Sequence, residues 1–252
     1  MCGRYSLTAP GQLWFEIFGL SDPPAWSPRF NIAPSQPVAA VLVPPGQPQA
    51  QFRLLQWGLI PSWAKAPGIG ADMINARAET AATKPAFRAA FRRRRCLVLA
   101  DGFYEWQRQD RRKQPFYVRL RDGRPFAFAG LWEHWEGPEG QAIDSCSLLT
   151  TEPNALMRPL HHRMPVILAP DVYPVWMDPA IQDPDKLQPL LRPYPPEPMT
   201  AYPVSPRVNN PLNDTPECIN PLSGMPDIER GEAARPPNEK GDVGGFNNRL
   251  PG

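Results

Sequence analysis

Residues 96–106 read Cys-Leu-Val-Leu-Ala-Asp-Gly-Phe-Tyr-Glu-Trp, a short apolar run followed by a mixed polar and aromatic one. Residues 96–100 predict a buried strand, because a short apolar run of this kind suits a strand that is covered on both faces. We place Glu105 at the end of the strand that follows, between Tyr104 and Trp106. A carboxyl group flanked by aromatic side chains is a candidate for a raised pKa and for acid–base chemistry. The alternative is a surface glutamate on an alternating strand.

Further strands and turns lie on both sides of this stretch. The sequence predicts a hairpin of 38–43 with 51–58, a second hairpin of 116–120 with 126–131 through Asp122-Gly123, and strands at 145–151, 166–168 and 202–205, the last continued by 208–210. Helices are predicted at 11–19 and at 79–93, the second capped by Thr80 or Thr83. Because short strands outnumber helices without regular alternation, we predict an α+β fold. It is a single domain whose mixed, barrel-like or bifurcated β-sheet is flanked by short helices.

Composition bounds the class of protein. The 252 residues are 42% hydrophobic, which is enough for a core, and the 36 prolines indicate many irregular loops. We expect one domain over 1–226 and a disordered polar tail over 227–252. There is no apolar run long enough for a membrane span and no signal peptide pattern, so a cytoplasmic protein without a membrane partner is expected. Residues 1–170 carry 20 Lys and Arg against 13 Asp and Glu, while 171–252 carry 7 against 12. A basic body suits an anionic partner, although a merely solvated basic surface is the alternative.

Met1-Cys2-Gly3-Arg4 places one of only 4 cysteines at the second position. Removal of Met1 would leave an α-amine and a thiol on one carbon, with reference pKa values of about 8 and about 8.5. An aldehyde can form a Schiff base with that amine, and the thiol can then close a five-membered thiazolidine ring. A cysteine at a frayed terminus with no role is the alternative interpretation.

Such chemistry needs groups that move protons and orient the reactant. His161 and His162 are two of only 3 histidines, and histidine carries protons near neutral pH. Asn75 precedes a predicted helix and is either a cap or a neutral group that orients a reactant. The sequence has no G-x-S-x-G, P-loop, H-E-x-x-H or Rossmann motif. The cysteines lack C-x-x-C spacing and the histidines lack ligand partners, so we expect neither a metal nor a cofactor.

Six motifs in order resemble the SOS-response-associated peptidase family, a group that shields abasic sites in DNA. They are Met1-Cys2-Gly3-Arg4, Phe30-Asn31-Ile32-Ala33-Pro34, the segment 57–63 (Trp-Gly-Leu-Ile-Pro-Ser-Trp), the segment 75–80 (Asn-Ala-Arg-Ala-Glu-Thr), Gly102-Phe103-Tyr104-Glu105-Trp106 and His161-His162-Arg163-Met164-Pro165. The similarity extends from Cys2 to about Leu222, and the tail lies beyond it.

The resemblance implies a role for each matching residue. Cys2 would cross-link the ring-opened sugar aldehyde as a thiazolidine, and Glu105 would be the acid–base group for ring opening and Schiff-base formation. Asn75 would orient the reacting end, and His161 matches the histidine before x-Arg-Met-Pro, whereas His162 falls at a variable position. Three further positions match contacts to the DNA strand: Arg4, Trp63 and Arg77.

The resemblance thus implies an enzyme of the DNA damage (SOS) response that removes its own Met1. It would act as a cytoplasmic, nucleoid-associated monomer on single-stranded DNA that contains abasic sites. Two alternatives stay open at this point. One is a cysteine peptidase that uses Cys2 as nucleophile on other substrates. The other is a module that binds single-stranded DNA without covalent chemistry.

Overall fold

The chain folds into two β-sheets with short helices around them, as seen in a computed structural model that describes residues 2–18, 26–109 and 112–223. In chain order the strands are β1 (Tyr5–Leu7), β2 (Arg29–Ile32), β3 (Pro37–Leu42), β4 (Gln51–Trp57), β5 (Asn75–Arg77), β6 (Arg95–Ala100), β7 (Gly102–Gln109), β8 (Arg112–Leu120), β9 (Phe126–Glu136), β10 (Ala142–Thr151), β11 (Met164–Pro165), β12 (Ile167–Leu168) and β13 (Met199–Pro203). The helices are α1 (Gly11–Phe18), α2 (Ala78–Ala81), α3 (Arg88–Arg93), α4 (Tyr173–Met177) and α5 (Pro184–Leu187), joined by several 3-10 turns.

Five strands close into a barrel. The order is β10-β4-β3-β6-β9, and β10 closes the ring because it pairs with β4 in parallel and with β9 in antiparallel register. Every residue of β6 is buried, which confirms the strand predicted from the apolar run 96–100. The barrel confirms the predicted α+β, barrel-like fold, and the hairpin predicted for 38–43 with 51–58 is β3 with β4.

A second sheet, in the order β13-β8-β7-β1-β2, packs against the barrel. Tyr5 of β1 is fully buried and sets its ring edge-on against Trp57 of β4 and Phe128 of β9, at centroid distances of 5.4 and 5.7 Å. Aromatic pairs in this geometry add to the stability that burial itself provides. The shared core therefore joins the N-terminal strand to the barrel wall.

The chain crosses from the barrel to the second sheet at Asp101. The Asp101 carboxylate accepts hydrogen bonds from the hydroxyl groups of Ser6 and Thr8 at 2.5 and 2.6 Å and from the Ala9 N–H at 2.9 Å. Gly102 is required next, because a Cβ there would lie 2.1 Å from the Tyr117 hydroxyl oxygen. The crossover thus ties β1 to the start of β7, the strand that carries Glu105.

The structure corrects three predictions of local structure. Asp122-Gly123 does form a turn with Gly123 at φ +73, but β8 and β9 lie in different sheets, so the turn carries the chain between sheets and closes no hairpin. Glu105 lies in the middle of β7, opposite Phe116, and not at a strand end. Residues 206–209 form a 3-10 turn that ends β13, because Pro206 cannot continue a ladder of hydrogen bonds.

The single helix predicted for 79–93 was also wrong. Two short helices, α2 and α3, replace it, separated by a turn that contains Pro85. Proline inside a helix removes one hydrogen bond and clashes with the preceding turn. Neither predicted threonine caps α2, whose N-cap position is Arg77 with no side-chain cap bond.

The predicted tail, 227–252, lies outside the described residues, as do Met1 and Gly19. Among the helices that are described, none is long and apolar enough to cross a membrane. The described residues also hold no cluster of three His, Cys, Asp or Glu side chains suited to a metal ion.

Candidate active site

Cys2 lies just before β1 and is fully buried. The Asn75 side-chain amide donates to the Cys2 carbonyl oxygen at 2.9 Å, and the Cys2 Sγ lies 3.9 Å from the Arg4 carbonyl oxygen. Burial raises the pKa of the Cys2 thiol, and the negative charge of Glu105 raises it further. The sulfur is therefore held as a neutral thiol, and a nearby base must take its proton before or during attack.

Glu105 approaches the same point from β7. The antiparallel register pairs Tyr5 with Phe103, and continuing that register by two residues sets Gly3 opposite Glu105. The Glu105 side chain is only 2% exposed, and burial raises its pKa from the ordinary 4.5 to about 7. Near neutral pH this carboxyl group exists in both protonation states, so it can donate a proton in one step and accept one in the next.

Asn75 is the third residue of the site. It begins β5, which pairs in parallel with β10 and places Asn75 opposite Leu148. Its Nδ2 is used on the Cys2 carbonyl, while its Oδ1 is buried without a hydrogen-bond partner among the described residues. A buried acceptor of this kind costs free energy unless something donates to it. The Oδ1 is thus available to a donor that enters beside Cys2.

His161 and Glu105 both line one groove of about 820 Å³. Its ring stacks on His162 with a centroid distance of 4.2 Å, and its Nδ1 accepts from the Arg163 N–H at 3.0 Å. Burial lowers the pKa of His161 to about 4. The ring is therefore neutral at pH 7, and its Nδ1 lies close to both the N–H and the carbonyl oxygen of Arg163.

The loop that carries His161 is fixed by Arg163. Its guanidinium donates two hydrogen bonds to the carboxylate of Glu79 in α2, at 2.7 and 2.9 Å. It also donates to the carbonyl oxygen of Thr150 in β10. Bidentate pairs of this kind fix orientation as well as distance. Sequence reasoning assigned no role to Arg163, although it lies in the His-His-Arg-Met-Pro motif, because its partner is 84 residues away along the chain.

Arg4 lies on the opposite face of β1 from Tyr5. Its Nη1 donates to the Asn31 Oδ1 at 2.8 Å and to the Val208 carbonyl oxygen at 2.7 Å, and its guanidinium lies 5.9 Å from the Trp106 ring. Trp106 also donates to Asn209 at 2.7 Å. Arg4 therefore links the 3-10 turn at 206–209 to Trp106, which lines the groove. The exposed contact of its guanidinium is the one from Nη2 to the Asn209 carbonyl oxygen, at 3.5 Å.

Asn31 was missed as an organising residue. Its amide nitrogen donates to three backbone carbonyls, of Val208, Asn210 and Asn213, at 2.7–3.2 Å. The Phe-Asn-Ile-Ala-Pro motif marks this position in the sequence, but only the structure shows that it fastens the C-terminal segment beside Arg4.

Trp63 and Arg77 are exposed on two other segments. Trp63 is 60% exposed, and its loop is anchored where Trp135 donates to the Ala64 carbonyl oxygen at 2.8 Å. Arg77 ends β5, two residues from Asn75. The structure thus brings Cys2, Asn75, Glu105 and His161 together and leaves Trp63 and Arg77 at the surface. Contact with DNA stays a prediction for Arg4, Trp63 and Arg77.

Comparison with known proteins adds independent findings. The family model described as SOS response associated peptidase (SRAP) matches residues 1–211. The abasic site processing protein YoqW of Bacillus subtilis is 44% identical over 225 residues, which is 87% of this chain and 99% of that protein. The abasic site processing protein HMCES of Xenopus tropicalis is 36% identical over 189 residues, 66% of this chain and 56% of that one.

Solved structures share the fold. A protein from Bacteroides thetaiotaomicron superposes with a TM-score of 0.78 at 24% identity, covering 88% of this chain and all of that one. A phage-related protein from Bordetella bronchiseptica gives a TM-score of 0.66 at 30% identity, over 81% of this chain and 94% of its own. The family match spans all four buried or half-buried site residues described above.

Proposed function

This chain belongs to the SOS response associated peptidase family, and from that membership we propose that it caps abasic sites in single-stranded DNA through a thiazolidine formed by Cys2. Met1 must first be removed, which we assign to the protein itself, so that the α-amine of Cys2 becomes available. The proposed setting is DNA in the cytoplasm during the DNA damage response, with the protein acting as a monomer. The observation that carries the proposal is that buried Cys2 is bonded to Asn75 through its carbonyl oxygen and lies within electrostatic reach of Glu105, which lines one groove together with His161.

The bond changes balance with the loss of one water. An abasic sugar is a closed hemiacetal in equilibrium with an aldehyde, and ring opening needs a proton delivered to the ring oxygen. The amine then adds to the aldehyde carbon and water leaves, giving a Schiff base. The thiol adds to the same carbon as its proton passes to the nitrogen, which closes the thiazolidine. The product lacks the electron-accepting carbon–nitrogen double bond that would promote strand cleavage.

Glu105 suits the proton steps of this sequence. With a pKa of about 7 it is protonated often enough to deliver a proton to the leaving oxygen, and its carboxylate form can then take the proton of the Cys2 thiol. Neutral His161 lines the same groove and can exchange a proton with a bound sugar. The Asn75 Oδ1, buried and without a partner among the described residues, can accept from the hydroxyl group that ring opening creates.

A general cysteine peptidase is the weaker reading of this geometry. A peptidase of that kind needs a thiolate paired with a charged imidazole. Here burial raises the pKa of the Cys2 thiol and lowers that of His161, so both groups are held neutral. Thiazolidine formation tolerates a neutral thiol because the Schiff base is itself a strong electrophile.

The deciding experiment measures intact mass and covalent capture. The purified protein is expected to lack Met1 and to form a denaturation-resistant adduct with a single-stranded oligonucleotide that bears one abasic aldehyde. An oligonucleotide with the chemically reduced site has no aldehyde and should give no adduct. Cys2→Ser should abolish the stable adduct, since a serine cannot close the sulfur ring.

Cys218→Ser is the matched control. Cys218 is also buried, and its Sγ lies 3.2 Å from the Asn213 carbonyl oxygen, so serine keeps a donor there. This variant should give the wild-type adduct yield. Equal adduct formation and persistence by Cys2→Ser would overturn the thiazolidine mechanism and favour non-covalent binding.

A further inference from the structure

We propose that Arg108, Lys113 and Arg158 form a phosphate-binding track that carries one arm of the single strand away from the reacting site. The proposal rests on the function proposed above and adds to it the path of the strand on one side of the lesion. None of the three residues lies in one of the six sequence motifs that mark the family.

The track continues the groove that Glu105 and His161 line. The same groove of about 820 Å³ is lined by Glu105 and His161 and by Arg108, Lys113 and Arg158. Glu105 is buried, whereas the three cationic side chains are exposed. The groove therefore runs from a buried carboxyl group to an exposed positive mouth, and a bound polymer that reacts near Glu105 would leave over the cations.

Arg108 and Lys113 repel each other electrostatically in the protein without a ligand. They are direct cross-strand partners in the β7–β8 hairpin, and like charges placed directly opposite each other destabilise a sheet. Within the described chain, neither side chain has a hydrogen bond or an ion pair that would offset this repulsion. An anion bound between them would relieve it.

Arg158 completes the track from a different segment. Arg158 lies in a turn that follows β10, and its backbone N–H donates to the Asn154 carbonyl oxygen at 3.0 Å. The Asn154 side chain holds the turn in place by donating to the Tyr194 carbonyl oxygen at 2.7 Å. The guanidinium itself makes no side-chain contact with an acidic residue in the part of the chain that is described. A cation held on a fixed backbone and left unpaired suits a ligand with regularly spaced negative charges.

The phosphates of a nucleic acid strand are that ligand. Lesion chemistry at Cys2 and Glu105 already requires a DNA strand in the groove, and each cation that neutralises a phosphate releases bound counterions. For single strands the binding constant falls with salt by a logarithmic slope of about 0.7 for each phosphate neutralised. Three cations therefore account for a slope of about 2 on one arm of the strand.

The test uses the full chain in which Arg108→Gln, Lys113→Gln and Arg158→Gln are combined. The probes are two single-stranded oligonucleotides of equal length with a tetrahydrofuran abasic analogue near either the 5′ or the 3′ end, so that only one long arm can occupy the track. For one oligonucleotide we expect the triple variant to bind about tenfold more weakly than the wild type. The slope of its log binding constant against log salt concentration should be smaller by about 2. Affinity for the other should stay at the wild-type value.

The matched control removes the same net charge elsewhere, by combining Arg53→Gln, Arg92→Gln and Lys186→Gln, all exposed residues outside the groove lining. It should leave both affinities unchanged. Equal losses for both oligonucleotides, no loss for either, or an equal loss in the control would overturn the track. Glutamine relieves the repulsion between positions 108 and 113, so thermal unfolding should show a variant at least as stable as the wild type.

The outcomes also separate the track from the proposed function. An arm-specific loss in a protein that forms no adduct with the aldehyde substrate would sustain the track and remove the covalent mechanism. Normal adduct formation by the wild type, with no arm-specific loss in the triple variant, would sustain the covalent mechanism and overturn the track.

Discussion

At the scale of single residues, the burial of Glu105 decides its chemistry. A glutamate on an exposed strand would be ionised at neutral pH and unable to donate a proton. Here the surroundings of β7 and the N-terminal segment exclude water and raise the pKa of the carboxyl group to about 7. The aromatic neighbours in the sequence suggested such a shift, but the extent of burial depends on the distant N-terminal segment, which lies beside β7.

Glu105→Gln is expected to slow adduct formation by about a hundredfold, since the side chain can no longer move a proton. The wild-type rate should fall above pH 7, where Glu105 loses the proton it donates, and this limb of the profile should disappear in the variant. Single-turnover rates between pH 5 and 9 measure both effects. Glu197→Gln, at an exposed position, should keep the wild-type profile, and an unchanged high-pH limb in Glu105→Gln would refute the assignment.

The same carboxyl group makes stability depend on pH. The folded protein holds the Glu105 proton up to a pH of about 7, whereas the unfolded chain releases it near 4.5. Stability from this group is therefore present below pH 4.5 and falls as the pH rises to about 7, by about 3 kcal/mol in all. Denaturant unfolding at pH 5 and pH 8 should show this loss in the wild type and a smaller one in Glu105→Gln.

At the scale of secondary-structure elements, Arg95 joins two helices that the sequence does not connect. Its buried guanidinium donates to the carbonyl oxygens of Phe91 and Arg92 at the end of α3, at 2.8 and 2.7 Å, and to those of Trp176 and Asp178 at the end of α4. Helix C-termini leave carbonyl groups without partners and carry partial negative charge. Arg95 is the last of four consecutive arginines, and its guanidinium binds the ends of both helices.

Arg95→Met should lower the free energy of unfolding by about 3 kcal/mol, because it leaves buried carbonyls without donors. Urea unfolding measures the change. Arg93→Met is the control: Arg93 is exposed and bonded only to Gln182 among the described residues, so its effect should stay within about 0.5 kcal/mol. Equal effects of the two substitutions would show that the buried guanidinium does not hold α3 and α4 together.

At the scale of the whole molecule, charge and site lie in the same part of the chain. The excess of Lys and Arg falls in residues 1–170, and the residues that line the reactive groove lie between 105 and 162. The family match ends at residue 211, before the polar tail begins. The binding and capture that we propose therefore belong to the part of the chain that the match covers.

Deletion of 227–252 is expected to leave adduct yield and affinity for single-stranded DNA unchanged. The described groove contains no residue beyond His162, and the removed segment carries nearly balanced charge. Denaturing gels and binding titrations of the shortened and full chains, at equal concentration, measure both quantities. A large fall in adduct yield or in affinity would show that the tail takes part in binding.

From the sequence alone we predicted the class of fold, which the structure confirms, and a set of candidate reactive groups. The apolar run 96–100 and the other short strands bounded by turns were sufficient for a barrel-like sheet, because short-range pattern is encoded locally. The ordered motifs of the family marked Cys2, Asn75, Glu105 and His161 as candidate site residues. Only the tertiary structure decided that β8 and β9 part into different sheets, that Arg163 and Asn31 fix the site, and that the Cys2 thiol and His161 are held neutral. Those features depend on contacts between distant segments and on the exclusion of water, which no local pattern of residues specifies.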